Sequence, residues 1–350
     1  MKSVFVEDLQ DGMVIGSDLH TSTGILIIPA GVVITRPIVR HLMSLGVETV
    51  WIDEEAKPDV VSEDEKEQFR KFNVKYIGAK DKLNNTFGRM LEKNIDKKEI
   101  EHMIDESWNM LGKEYNSYNM LGMLYSMHNY SDATYMHCMN VGMIASFIGK
   151  WLGWKPAEIK ILNACGMFHD IGKLLIPKEI LDKPGKLTDK EYDIMKSHTV
   201  KGYRLIKDIG LDLRIVNSTI MHHERCDGSG YPFGLKGDKI DEYSKIIAIA
   251  DVYEAMTANR VYRGPICPFD VIAQFEINGF DMYETKYLLV FLQNIVDSYL
   301  HSRVRLNNGE KAEIILINRQ RSSKPVVMTT SGRPVDLSKE PNLRIEQVFE

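Results

Sequence analysis

Cysteine is scarce in this chain: four residues among 350, at Cys138, Cys165, Cys226 and Cys267, with no CxxC pair. That spacing excludes a disulfide framework and a thiolate zinc site, and it points to a reducing compartment, the cytoplasm. Long hydrophobic runs are also missing. The most apolar late segment, 287–296, is short and contains Gln293 and Asn294, so no membrane span is expected. The opening MKSVFVEDLQDGM has acidic residues where a secretory leader would carry its apolar core. Charge of one sign is lacking too, with 44 basic against 49 acidic residues and a net charge of −5. Nothing in that balance attracts a nucleic-acid polymer; a small anion could still meet a local cluster of Arg, Lys and metal. At 350 residues the chain can bury a sizeable core and is expected to hold more than one domain.

Residues 1–55 read as a small α+β unit. Short β-type runs at Val4–Val6, Met13–Ile15 and Ile25–Ile28 are separated by Asp11-Gly12, Gly24 and Pro29-Ala30-Gly31, and a helix follows Thr35 with Pro37 in its first turn. No catalytic constellation lies here. Residues 56–124 start as an acidic linker and continue into two or three helices. From 125 to 300 the apolar periodicity is helical. Val141, Ile144 and Ile148 mark one helix, and Ile159, Leu162 and Met167 a second after Pro156; IPKEILDKPGKLT is a loop-rich connection. A T-x-x-E capping box at Thr188 and Glu191 opens a helix with Ile194, His198, Gly202 and Leu205 along one side. Leu213, Val216 and Ile220 then share a register that ends at His222-His223. Residues 301–350 switch to short alternating runs divided by Asn308-Gly309 and Ser331-Gly332, a β-rich tail whose first two strands should form a hairpin. The fold class expected is therefore multidomain: an all-α helical catalytic domain between a small α+β domain and a short β-rich tail.

Chemistry concentrates between His169 and Arg263. Asp251 interrupts the apolar run Ile246–Tyr253, where a carboxylate is costly unless paired or bound to a cation. His222 and His223 are adjacent, and neighbouring helical positions diverge by about 100°, so both rings can meet one centre only beyond or beside a helix end. His137 falls on the Val141 stripe; alone it reads as a core histidine. Together, His137, His169, His198, His222 and His223 with Asp170 and Asp251 are too many buried-face ligands for packing alone. A helical bundle can project such ligands inward from several helices. Imidazole and carboxylate donors without thiolates suit iron, manganese or zinc, and a carboxylate that could bridge suggests two ions. Lys173, Arg260 and Arg263 could supply cations for a phosphoryl group; the two arginines share a face if their helix continues.

The set HDIGK, then His198, then HHERCDGSGYPFGLKG, then IADVYEAMTANRVYR resembles the HD-GYP family of metal-dependent phosphodiesterases, a branch of the HD hydrolase superfamily that degrades cyclic di-GMP. The resemblance covers roughly 125–300, and residues 1–55 are similar to the small domain that often precedes it. It implies that His137, His169, Asp170 and Asp251 surround one metal and that His198, His222 and His223 surround another, with Asp170 bridging. It further implies two divalent ions, iron or manganese, with Lys173 beside the scissile phosphate and Arg260 and Arg263 on the substrate phosphates. Gly230, Tyr231 and Pro232 would shape the substrate pocket.

One departure is informative. A glutamate that binds a third metal in some relatives is replaced here by Ala133, beside Asp132, so a two-metal site is expected. Such two-metal enzymes open the ring to linear pGpG, with slower or absent cleavage to GMP. The expected partners are a cyclic dinucleotide, a second copy of the chain through its N-terminal unit, and diguanylate cyclase signalling proteins. The alternatives are an HD hydrolase acting on another cyclic dinucleotide, and an adaptor that binds nucleotide without turnover; the complete ligand set counts against the adaptor.

Overall fold

The structure is a computed structural model, and it describes residues 1–20, 26–28, 32, 34, 36–53, 76, 78–79, 81–111, 133–258 and 264–349. Two compact units emerge, Met1–Glu65 with Ile295–Glu350, and Lys66–Asn294. Residues 1–55 and 301–350, which read as separate modules in the sequence, thus belong to one unit. Its N-terminal part pairs β1 (Lys2–Phe5) and β2 (Val14–Ile15) antiparallel on either side of β5 (Thr49–Asp53); β3 (Leu19–His20) pairs β4 (Leu26–Ile28). The C-terminal part is a five-stranded antiparallel sheet of order β10-β6-β7-β8-β9, in which β8 is Val326–Thr329, β9 Pro334–Asp336 and β10 Ile345–Phe349. The hairpin expected at Asn308-Gly309 forms between β6 (Arg303–Leu306) and β7 (Lys311–Leu316). Val6, Ile15, Ile38, Leu42 and Ile52 share one core with Ile315, Leu316, Val326 and Met328. Neither end is long enough to bury both faces of its strands alone, and burial of apolar side chains is what joins them.

The second unit is helical throughout its named elements. Residues 81–91 form α2 after α1 (Arg36–Ser44) of the first unit, followed by α3 (Lys97–Leu111), α4 (Ala133–Trp151) and α5 (Pro156–Phe168). Pro156 starts α5 where its missing N–H costs nothing, and Glu158 accepts from the Lys155 amide at 3.0 Å. Helix α4 is buried on all sides from Met136 to Gly149, so it serves as the axis of the bundle. Thr188 and Glu191 make the capping box the sequence announces. The helix it opens stops at Lys196, however, and a new one begins at His198, giving α7 (Asp189–Lys196) and α8 (His198–Ile206). Ser197 at the break donates its hydroxyl to the Ile194 carbonyl at 2.5 Å and thereby competes with the helical ladder. Ile194 consequently lies on an exposed turn instead of the buried side.

Two more expectations need correction. The connection after Ile176 contains a short helix, α6 (Lys178–Leu181), started by Pro177, whose φ of −56° suits a helix entry. Leu213, expected in register with Val216 and Ile220, is exposed; α9 (Leu213–Met221) begins with it, capped by Asp212, and buries Ile215 instead. Helix α10 (Glu242–Thr257) carries Asp251, and α11 (Pro268–Met282) and α12 (Thr285–Ile295) close the unit. Among the described residues no helix is long and apolar enough to cross a membrane.

Candidate metal centre

Five helices and one 3₁₀ turn bring the candidate ligands together. His137 comes from the second turn of α4, and His169 closes α5. Asp170 immediately begins the 3₁₀ turn Ile171–Leu175 that carries Lys173. Gly172 in that turn packs on α8: a Cβ there would land on the carbonyl oxygen of His198 and the amide of Gly202. Only glycine lets the turn bearing Asp170 touch the helix bearing His198. His222 caps the end of α9 and His223 follows it, with ring centroids 4.1 Å apart. The doublet thus meets one centre from a helix end, as its geometry requires.

Two clusters result. Donor atoms of His137, His169 and Asp251 lie within 4.8 Å of one another, and so do those of Asp170, His198, His222 and His223. Asp170 touches both. Its Oδ2 is 3.3 Å from Nε2 of His137 and 3.3 Å from Nε2 of His169, while its Oδ1 is 3.2 Å from Nε2 of His198 and 3.6 Å from Nε2 of His222. Asp251 Oδ1 lies 3.0 Å from His137 Nε2, and its Oδ2 3.8 Å from His223 Nδ1.

The rings are oriented for coordination. His169, His198 and His222 each donate from Nδ1 to a backbone carbonyl, of Gly166 at 2.6 Å, Met195 at 2.7 Å and Ser218 at 3.0 Å. His137 donates from Nδ1 to the Glu254 carboxylate. With Nδ1 carrying the proton, each Nε2 points its lone pair inward, the arrangement by which outer partners fix a metal-binding histidine. His169 Nε2 and Asp170 Oδ1 are buried without a hydrogen-bond partner. Such orphans are costly in a protein interior, and cations among them would satisfy both. The donor set therefore fits divalent metal ions.

Electrostatics agrees with this. Burial opposes charge on Asp170 and Asp251, yet Lys173 and His169 for the first, and His137 and His169 for the second, outweigh it and hold both carboxyls well below the usual range. Burial drives His222 down to about 4 and His223 well below its ordinary value, so both are neutral, the state a ligand needs. Burial also opposes charge on His169, but Asp170 and Asp251 prevail and its pKa is raised. Lys173 ion-pairs with Asp170 Oδ2.

The GYP loop leans on this centre. Tyr231 stacks on His223 with centroids 4.6 Å apart and planes 30° apart. A Cβ on Gly230 would run into the backbone of His223, Glu224 and Arg225, so the loop can press on the doublet only with glycine there. Pro232 follows Tyr231 through a cis peptide bond. Arg260 and Arg263 lie outside the described residues. The helix that would have placed them on one face ends at Thr257, where Ala258 turns to extended backbone.

Sequence reasoning passed over four residues. Glu254, buried, holds His137 and accepts from Asn140 Nδ2 at 2.9 Å; Asn140 in turn accepts from the Tyr76 hydroxyl. Glu224, also buried, accepts from the backbone amides of Phe233 and Leu235 at 2.8 Å each and ties down the GYP loop. Glu254 carried a signal: it stands three residues after Asp251, directly past the apolar run, so it lies on the same helical face.

The HD domain family model matches residues 102–275. A protein of Pseudomonas aeruginosa named cyclic di-GMP phosphodiesterase is 34% identical over 184 residues, which are 52% of this chain and 44% of that protein. A protein of Vibrio cholerae named 3'3'-cGAMP-specific phosphodiesterase 1 is 42% identical over 134 residues, 38% of this chain and 31% of that one. The chain thus spans less than half the length of these curated relatives. An HDG"Y"P protein from Bdellovibrio bacteriovorus has a similar fold, with a TM-score of 0.52 at 14% identity over 83% of this chain and 97% of that one.

Proposed function

We propose, from the match of residues 102–275 to the HD domain family model, that the chain is a metal-dependent phosphodiesterase that opens cyclic di-GMP at a centre of two divalent cations. What carries this reading is the division of Asp170, one oxygen facing His137 and His169 and the other His198 and His222. A carboxylate split in this way would be shared by both ions of a paired site. His137, His169 and Asp251 would hold one ion, and His198, His222 and His223 the other, with Asp170 shared between them. Iron or manganese suits this nitrogen and oxygen set. Ala133 offers no donor for a third.

Bound cations at such a centre make water nucleophilic at neutral pH and offset charge on a phosphoryl oxygen. The side chains do the rest. Lys173, paired with Asp170 here, brings a positive charge to the scissile phosphate. Arg260 and Arg263 hold the substrate phosphates. The Gly230–Pro232 loop, pinned by Glu224, walls the site beside the second cluster. Linear pGpG is the product, with further cleavage to GMP slower.

The test is cleavage of cyclic di-GMP by protein purified anaerobically, with metal content measured alongside. We expect two iron or manganese ions per chain and turnover that His169→Ala abolishes. Wild type that binds two ions yet cleaves no faster than His169→Ala sinks the enzymatic reading. Another cyclic dinucleotide is favoured as substrate by one observation, the 42% identity to the relative named for 3'3'-cGAMP. A panel of both nucleotides at equal concentration decides between them.

A further inference from the structure

Three of the inward-facing histidines are oriented by carbonyls of their own local backbone, three or four residues away. His137 is different. Its Nδ1 meets the carboxylate of Glu254, from a helix 117 positions later. We propose that Glu254, with Asn140 and Tyr76 behind it, is a positioning residue that fixes the ring of His137 and sets the cation affinity of the His137–His169–Asp251 cluster apart from that of its neighbour. This rests on the two-cation reading above and adds to it the groups that tune one half of the site.

The chain of hydrogen bonds has a defined direction. An ionised Glu254 can only accept, so Nδ1 of His137 and Nδ2 of Asn140 both donate to it, the latter at 2.9 Å. That turns Oδ1 of Asn140 toward Tyr76, whose hydroxyl donates. Every member is buried: Tyr76 is 0% exposed, Asn140 1%, Glu254 2% and His137 3%. In such surroundings each link constrains the next, because a wrongly turned amide would set like against like. A carboxylate partner also raises the basicity of a ligating imidazole. Tyr76 lies outside the matched residues 102–275. The orientation of a ligand inside the HD domain is therefore held in part by a hydroxyl that precedes the domain.

The experiment titrates chelated full-length protein with manganese, following binding by calorimetry and spin resonance. Wild type should take up two ions per chain. Glu254→Gln puts an amide donor against Asn140 and removes the charge; it should weaken one of the two sites 10- to 100-fold and leave the other within about 3-fold. Tyr76→Phe deletes a single oxygen and should weaken the same site by roughly 3- to 10-fold. Combining Glu254→Gln with Asn140→Asp restores matching donors and acceptors and should recover part of the loss. Melting of the chelated variants identifies any that fail to fold, and Tyr76→Phe, the mildest change, then bears the test. Wild-type binding at both sites in a folded Tyr76→Phe and Glu254→Gln overturns the proposal, as does equal weakening of both sites. Wild type that takes up no manganese overturns the two-cation reading itself, and this proposal with it.

Discussion

The two ligand clusters stand side by side on one aspartate but are built differently. His137 and Asp251 project from within helices α4 and α10, and their surroundings are other buried side chains, Glu254 and Asn140 among them. His198, His222 and His223 sit at helix ends, the first two oriented by backbone carbonyls and His223 stacked under Tyr231; the side chain of His223 is still 18% exposed. Apart from His169, which closes α5, the first cluster is fixed by the packing of whole helices. The second is fixed by how helices terminate, which leaves His223 partly exposed.

Asp170 makes the two clusters one site, so its loss should have the largest effect. Asp170→Asn removes the charge shared by both. We expect metal content to fall from two ions per chain to fewer than one and turnover to drop by about 10³-fold or more. His169→Ala and His198→Ala, by contrast, should each leave about one ion in the other cluster. Elemental analysis checks all three; an Asp170→Asn protein that keeps two ions breaks the picture of a shared ligand.

Gly172 controls how the clusters approach each other. An added Cβ meets backbone on α8, which cannot swing aside as a flexible side chain could. Gly172→Ala should therefore cost roughly 3 kcal/mol of stability, read as a shifted denaturant midpoint. A loss below about 0.5 kcal/mol means that the turn and α8 separate freely.

The second cluster was the more legible from sequence, because adjacent histidines can share a centre only at a helix end. Asp251 was legible for a different reason, as a carboxylate in an apolar run. Glu254 stood directly past that run; its partner on α4 is 117 positions away, and periodicity says nothing about which helices cross. Tyr76 gave no signal, since its role arises only after α4 has brought Asn140 to it. The break at Ser197 was hidden because its hydroxyl opposes a helix that both flanking sequences favour. The common core of the two chain ends was invisible for the same reason as Glu254: Ile38 and Ile315 meet only in three dimensions.

Acidity should separate the clusters by sign in protein stripped of metal. Folding lowers the His222 pKa from 6.5 to about 4. The unfolded chain then binds a proton that the folded one refuses, and the stabilisation present above pH 6.5 is lost as pH falls toward 4. Between pH 6.5 and pH 5 this one group accounts for roughly 1.5 kcal/mol. His223, lowered for the same reason of burial, adds to the loss. His169 in the first cluster is raised, so its contribution is complete below its unfolded pKa and fades as pH climbs through the folded one. Chelated wild type should accordingly lose stability on acidification, and His222→Asn should lose less. Equal slopes for the two proteins contradict the assignment of His222 as a buried neutral ring.

The smallest effect concerns the exposed side of the second cluster. Tyr231 covers His223 as a stacked ring, and aromatic stacking of this kind contributes about 1 kcal/mol. Tyr231→Leu keeps bulk but not the stack, so manganese affinity at the second cluster should fall by about 5-fold while the first cluster is unaffected. Tyr231→Phe retains the ring and should bind within about 2-fold of wild type. A first cluster that weakens as much as the second would mean that the stack supports the whole centre, and the contrast between interior helices and helix ends would lose its energetic meaning.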